Sequence, residues 1–212
     1  MAEVARVRGH AVQVLAGADN PHGSALTAET MRDVDSVIDF TTPQAVAANI
    51  EACARAGKNM VVGTTGWYSE IQNIREMVEK NHIGFLYAAN FSIGVNLFFE
   101  IAHSSAAALR HHYFGQIFER HHAQKKDAPS GTAVTLQRII KDVSSTELEI
   151  TSFREGDVVG MHELVLDSPN DTIYVCHDAK SRRGYAEGAV RAAEWLTGKK
   201  GFFNFADVWQ EM

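Results

Sequence analysis

Apolar residues recur along the chain at two spacings, and the switch between them marks its organisation. Val37-Ile38-Asp39-Phe40, Met60-Val61-Val62 and residues 84–88 are short apolar runs that read as buried strands. Between them Val46, Ile50, Cys53 and Ala54 fall at helical spacing over residues 44–56, with Gly57 to stop the helix. Ile71, Ile74 and Val78 mark the next helix. Ahead of these, residues 1–8 read as a helix with Met1, Val4 and Ala5 on one face, residues 11–15 as a short strand, and 16–24 as a loop. Strands alternating with helices imply βαβ units and a parallel sheet, with function at the carboxyl ends of its strands. Those ends are Asp39-Phe40-Thr41, Gly63-Thr64-Thr65 and Ala88-Ala89-Asn90-Phe91.

Beyond residue 92 the rhythm changes. A helix over about 95–110 carries Phe98, Ile101 and Leu109; a strand at 116–120, a polar loop and a helix over about 131–143 follow. Three strand-like segments at 147–153, 158–166 and 172–177 are joined by short turns such as Ser168-Pro169-Asn170-Asp171, which predicts antiparallel pairing and an α+β domain. A last helix with Ala189, Val190, Ala193 and Leu196 is expected to return to the first domain.

Composition narrows the class. Of the 212 residues, 45% are hydrophobic and 22% charged, as in ordinary globular chains. A net charge of -6 argues against a general nucleic-acid binder but leaves room for a local basic pocket. No apolar stretch is long enough to cross a membrane, and residues 1–6 lack the apolar core of a signal peptide. The two cysteines, Cys53 and Cys176, are too few for a disulfide framework and read as a pair of buried thiols in a reducing cytosol. The expectation is a soluble cytoplasmic protein without nucleic-acid or membrane partners.

The densest chemistry lies in residues 119–133, Glu119-Arg120-His121-His122-Ala123-Gln124-Lys125-Lys126-Asp127-Ala128-Pro129-Ser130-Gly131-Thr132-Ala133. Pro129-Ser130-Gly131-Thr132 opens a helix whose first backbone N–H groups have no helical partner, which suits a carboxylate. Lys125 and Lys126 add positive charge, and His121 and His122 can exchange protons near neutral pH. The competing reading is a capped helix beside a solvated loop. A metal is not expected, because adjacent histidines in an extended segment point to opposite faces, and His111 and His112 are about 100° apart on a helix.

This segment resembles the signature of the 4-hydroxy-tetrahydrodipicolinate reductases. The resemblance extends through Asp39-Phe40-Thr41, Gly63-Thr64-Thr65-Gly66, residues 88–96, Ser181-Arg182 and Gly188-Ala189-Val190-Arg191, in the family's order. It implies hydride transfer from NADH or NADPH to a small cyclic dicarboxylate. His121 would be the general acid/base and Lys125 an assisting proton donor, while His122, Gly131 and Thr132 would hold the carboxylates. Gly63, Thr64, Thr65, Ala88, Ala89, Asn90 and Phe91 would line the cofactor, and Arg182 would lie near the cleft. The implied fold is α/β, a Rossmann-like doubly wound sheet over 1–91 and 181–212, with an α+β substrate and oligomerisation domain inserted at 92–180. The implied assembly is a homotetramer. A second reading is a non-catalytic dicarboxylate-binding homologue that has lost its cofactor site.

That alternative arises because the family's first strand and glycine-rich phosphate turn are missing ahead of helix 1–8. The place for an acid on the adenosine ribose falls at about Gly17, with Asp19 nearby. Met1 is therefore expected to be internal to a longer protein, preceded by about ten to fifteen residues of strand and glycine turn.

Overall fold

The computed structural model describes residues 1–212, which form two compact units: Met1–Ser92 with Tyr185–Met212, and Ile93–Gly184. No helix is long and apolar enough to cross a membrane.

In unit 1, β1 (Ser36–Asp39), β2 (Asn59–Val62), β3 (Gly84–Tyr87) and β8 (Gly201–Asn204) form a parallel sheet in that order. Every residue of β2 is buried, the mark of a strand covered on both faces. Helices α2 (Pro43–Arg55) and α3 (Ile71–Lys80) make the parallel crossovers, with Val46, Ile50, Cys53, Ile74 and Val78 in the core beside Met60, Val62 and Phe85. Pro43 sits in the first turn of α2, where its missing N–H costs nothing. Helix α1 (Ala2–Val7) is short, and packing rather than propensity holds it: Val4 and Ala5 cluster with Ala186 and Val190 of α6 (Arg183–Trp195). Arg8 and His10 both reach Glu194 of α6, at 2.6 and 2.7 Å.

In unit 1 one expected strand is absent and one unexpected strand is present. Residues 11–15 form no strand; only Val12 reaches the α1–α6 cluster, while Val14 and Leu15 are exposed and no neighbouring backbone pairs with them. Strand β8 was not expected at all. It is a run of four residues, Gly-Phe-Phe-Asn, and its Phe202 stacks on Phe85 with centroids 5.1 Å apart.

Unit 2 is a sheet ordered β5-β4-β6-β7, from β4 (Phe114–His121), β5 (Ile150–Arg154), β6 (Met161–Asp167) and β7 (Thr172–Asp178). Helices α4 (Ile93–Ser105) and α5 (Gly131–Ser144) share a core with it through Phe98, Ala102, Leu136, Ile140, Ile117 and Leu164. The helix expected to run to about 110 gives way to a 3-10 turn from Ala106. The antiparallel expectation holds for β4 with β6 and for β6 with β7, but β5 runs parallel to β4. Helix α5 carries the chain back along the sheet, so β5 re-enters beside β4 in the same direction; the short link to β6 then joins strands that are not neighbours. Cys176 is the other correction. It lies exposed on edge strand β7, whereas Cys53 is buried and its thiol is pushed up to about 12, chiefly by burial.

Helix α6 depends on one glycine. A Cβ at Gly188 would come within 1.7 Å of the Phe91 carbonyl oxygen, a backbone atom that cannot move alone. Gly188→Ala should therefore lower unfolding stability by about 3 kcal/mol. Urea denaturation checks this; a loss below about 0.5 kcal/mol would contradict the packing described.

Candidate active site

Strand β4 alternates, so Ile117, Glu119 and His121 share the buried face while Arg120 is exposed. A carboxylate on such a face must be compensated or protonated. Glu119 is 0% exposed and its Oε1 accepts three bonds: from the Ser130 N–H at 3.1 Å, the Ser152 hydroxyl at 2.7 Å and Arg154 Nη2 at 2.8 Å. Burial alone would raise its pKa. The bonds from Ser130, Ser152 and Arg154 outweigh burial and hold it at about 2.

Register explains who meets whom. Glu119 is the cross-strand partner of Ser152 on β5 and of His162 on β6, and His162 in turn faces His177 on β7. One polar row thus crosses the sheet as Ser152, Glu119, His162 and His177. His121 and Arg154 pair in the next buried row. His121 Nδ1 lies 3.3 Å from Glu119 Oε2, and His162 Nε2 lies 3.8 Å from the same oxygen. The His121 and His162 rings meet edge to face with centroids 5.1 Å apart. His162 Nε2 is 3.0 Å from Ser130 Oγ, which caps α5 by accepting from the Ala133 N–H. Burial is the first cause lowering both imidazoles: His162 falls to about 4, with His121 as a further cause, and His121 is lowered despite the opposing charge of Glu119.

Of the residues expected in this unit, His121 ends β4 and is buried, while His122 is half-buried just beyond it. His122 Nδ1 lies 3.2 Å from Gln124 Oε1 and its Nε2 3.4 Å from Arg182 Nη2. Lys125 Nζ donates to both oxygens of Asp127, at 2.8 and 2.9 Å. Gly131 and Thr132 are the first residues of α5, where backbone N–H groups have no helical acceptor. A Cβ at Gly131 would meet nothing within 4 Å, so no other element packs against the helix at that residue. Backbone amides, a lysine and an imidazole at one strand end can hold a carboxylate and move a proton.

The sequence pattern gives no role to Ser152, Arg154, His162 or Gly160, and Glu119 stands in the 119–133 segment without one. The period-two pattern around Ile117, Glu119 and His121 was the available signal for Glu119. The expectation of no metal rests on the His121–His122 and His111–His112 pairs and does not cover His162; Glu119, His121 and His162 have ligand atoms within 4.8 Å of one another. Arg154 bonds Glu119 Oε1 and Ser130 bonds His162 Nε2, while Glu119 Oε2 and His121 Nδ1 are without a hydrogen-bond partner.

In unit 1 the ends of β1 and β2 are braced by Asp39, which is 4% exposed. Its Oδ1 accepts from the Thr41 N–H, the Thr41 hydroxyl and the Thr64 hydroxyl at 2.9, 2.7 and 2.9 Å, and its Oδ2 from Asn49 Nδ2 at 2.7 Å. The Thr64 hydroxyl also accepts from the Thr41 N–H, at 2.8 Å, so it serves the turn itself. Thr65 and Ala89 are exposed, Ala88 is buried, and Asn90 Oδ1 accepts from the Ser92 N–H at 2.9 Å. The Phe91 ring is core, packed on Phe205 and Phe40 with centroids at 5.0 and 5.8 Å. Phe40 is different: it is 47% exposed and lies over Gly63, where a Cβ would come within 2.3 Å of its ring. A half-exposed ring beside a glycine at parallel strand ends fits a flat heteroaromatic cofactor.

Acid should dismantle the unit 2 network in two stages. His162 has a depressed folded pKa, so its contribution is full above 6.5 and is lost as pH falls towards about 4. Glu119 is likewise depressed, so its contribution is full above 4.5 and is lost towards about 2. Melting temperature should fall across both windows, and His162→Gln should flatten the upper one while leaving the lower. An unchanged upper slope in that variant would contradict the assignment.

Comparisons with known proteins agree across both units. A family model described as "Dihydrodipicolinate reductase, N-terminus" matches residues 4–91, and one described as "Dihydrodipicolinate reductase, C-terminus" matches residues 94–209. The chain is similar to the 4-hydroxy-tetrahydrodipicolinate reductase of Christiangramia forsetii, 40% identical over 194 residues covering 85% of this chain and 81% of that protein. It is 36% identical to the enzyme of that name from Laribacter hongkongensis, covering 82% of this chain and 72% of the relative. Among solved structures it resembles a dipicolinate-bound dihydrodipicolinate reductase from Paenisporosarcina sp. TG-14, with TM-score 0.73 and 23% identity over 85% of this chain and 76% of that one, a likeness of fold.

Proposed function

The chain belongs to the dihydrodipicolinate reductase family, and we propose that His121 is the general acid of its reaction and that the start of α5 holds the substrate. It is a nicotinamide-dependent oxidoreductase that reduces 4-hydroxy-tetrahydrodipicolinate to tetrahydrodipicolinate in lysine and diaminopimelate biosynthesis. Nothing among the relatives favours the non-catalytic alternative.

The observation that carries the reading is the convergence at the end of β4. One substrate carboxylate is received by the backbone N–H groups of Gly131 and Thr132 with the Thr132 hydroxyl, and His122 takes part in holding the dicarboxylate. Dipicolinate in the Paenisporosarcina structure is a ligand of that chemistry. His121 delivers a proton to the ring undergoing reduction. Burial keeps its proton loosely held, which suits an acid that must give it up near neutral pH. Lys125 assists, exchanging its Asp127 partner for the anionic substrate.

When bound, the nicotinamide supplies the hydride. In unit 1, Gly63, Thr64 and Thr65 with residues 88–91 form its binding edge, and the exposed face of Phe40 adds an apolar surface. Either NADH or NADPH fits this reading. The working form is a cytoplasmic homotetramer with no nucleic-acid or membrane partner.

His121→Gln should lower kcat about 10²–10⁴-fold with little change in substrate affinity. Thr132→Val and Lys125→Met should each weaken pyridine-2,6-dicarboxylate binding by roughly 1–3 kcal/mol in calorimetry. A His121 variant with near-normal kcat removes that residue from the mechanism. A folded chain that ignores the ligand at millimolar concentration refutes the pocket.

A further inference from the structure

A buried imidazole that shuttles protons needs its other nitrogen fixed, because either tautomer is accessible to a neutral histidine and only one presents the right edge. His121 has two unlike edges. Nδ1 is buried without a hydrogen-bond partner, and Glu119 Oε2, itself unpartnered, lies 3.3 Å from it. Nε2 lies beside Gly160, whose lack of a side chain leaves room for it: a Cβ there would come within 3.0 Å. Glu119 is equally asymmetric: Oε1 carries all three donors, from Ser130, Ser152 and Arg154, while Oε2 is buried without a hydrogen-bond partner. The Ser130 bond to His162 Nε2 leaves His121 Nδ1 as the nearer donor for that oxygen, at 3.3 Å against 3.8 Å.

We propose that Glu119 is a positioning residue for His121: its Oε2 holds the imidazole with a proton on Nδ1 and leaves Nε2, beside Gly160, as the atom that delivers and regains the catalytic proton. This rests on the reading of His121 as the general acid. The charged form carries protons on both nitrogens. The Nε2–H bond breaks as that proton passes to the substrate, the neutral ring keeps Nδ1–H against Glu119, and solvent returns a proton to Nε2. Three donors on Oε1 stop the carboxylate turning, so the orientation is set before substrate arrives.

Glu119 also sets when the ring can act. The charged groups facing His121 are Glu119 on its own strand, Arg154 on β5, and Lys125 and Asp127 from the loop, with His162 on β6 against its ring. Burial, Lys125 and Arg154 favour the neutral ring; Glu119 and Asp127 favour the charged one. Without the Glu119 charge the acid form is lost at lower pH.

Two experiments test this. The nitrogen-15 spectrum of selectively labelled histidine in the unaltered protein should show neutral His121 protonated on Nδ1; a neutral ring protonated on Nε2 overturns the proposal, whatever its variants do. In Glu119→Gln, the alkaline limb of the kcat–pH profile should move at least half a unit lower, roughly a threefold change in the proton concentration needed. A folded variant with an unmoved limb also overturns it. Failure of the general-acid reading would look different: His121→Gln would retain kcat while the tautomer stayed as proposed.

Discussion

A carboxylate with no solvent contact, Glu119, sets the terms for unit 2. Ionised and buried, it needs donors from several directions, and the fold supplies them from three places: the backbone at the start of α5, the Ser152 hydroxyl and the Arg154 guanidinium of β5. The same bonds fasten the two ends of the polar loop that follows β4. They hold the start of α5 beside the strand end that carries His121, so the anion-binding amides and the proton donor share one frame. Helix α5 has to return the chain to the side of β4 where β5 can offer its serine and arginine, which is why β5 lies parallel to β4.

Asp39 plays the corresponding part in unit 1. It too is buried at the end of a strand, and its four bonds tie the β1 end to the turn after β2 and to α2. In both units a buried carboxylate that accepts several hydrogen bonds ties down the loop at a strand end. The difference lies in the donors. Asp39 meets only neutral groups, whereas Glu119 meets a guanidinium and stands beside two imidazoles, so unit 2 holds the acid–base chemistry.

Local order and pattern made the parallel sheet, the α5 start and the loop from Glu119 to Ala133 legible, because each depends on residues close in sequence. What stayed hidden depends on register. His162 lies on β6 and becomes the neighbour of Glu119 only through antiparallel pairing with β4. Ser152 and Arg154 needed the parallel entry of β5, and the short turns around it pointed to the opposite direction. Residues 11–15 had strand-like composition but no backbone partner, and composition alone does not make a strand. Cys176 has the composition of a core residue and the position of an edge strand, and position prevailed.

The account's central claim is that substrate meets the amides of α5 and Nε2 of His121 together, in a frame fixed by Glu119. A crystal structure with pyridine-2,6-dicarboxylate and reduced nicotinamide cofactor tests it most directly. The account predicts one carboxylate on the N–H groups of Gly131 and Thr132, the ring within hydrogen-bond reach of His121 Nε2, and Nδ1 still against Glu119 Oε2. A ligand bound away from the start of α5, or a His121 ring turned to offer Nδ1 to it, would contradict the claim.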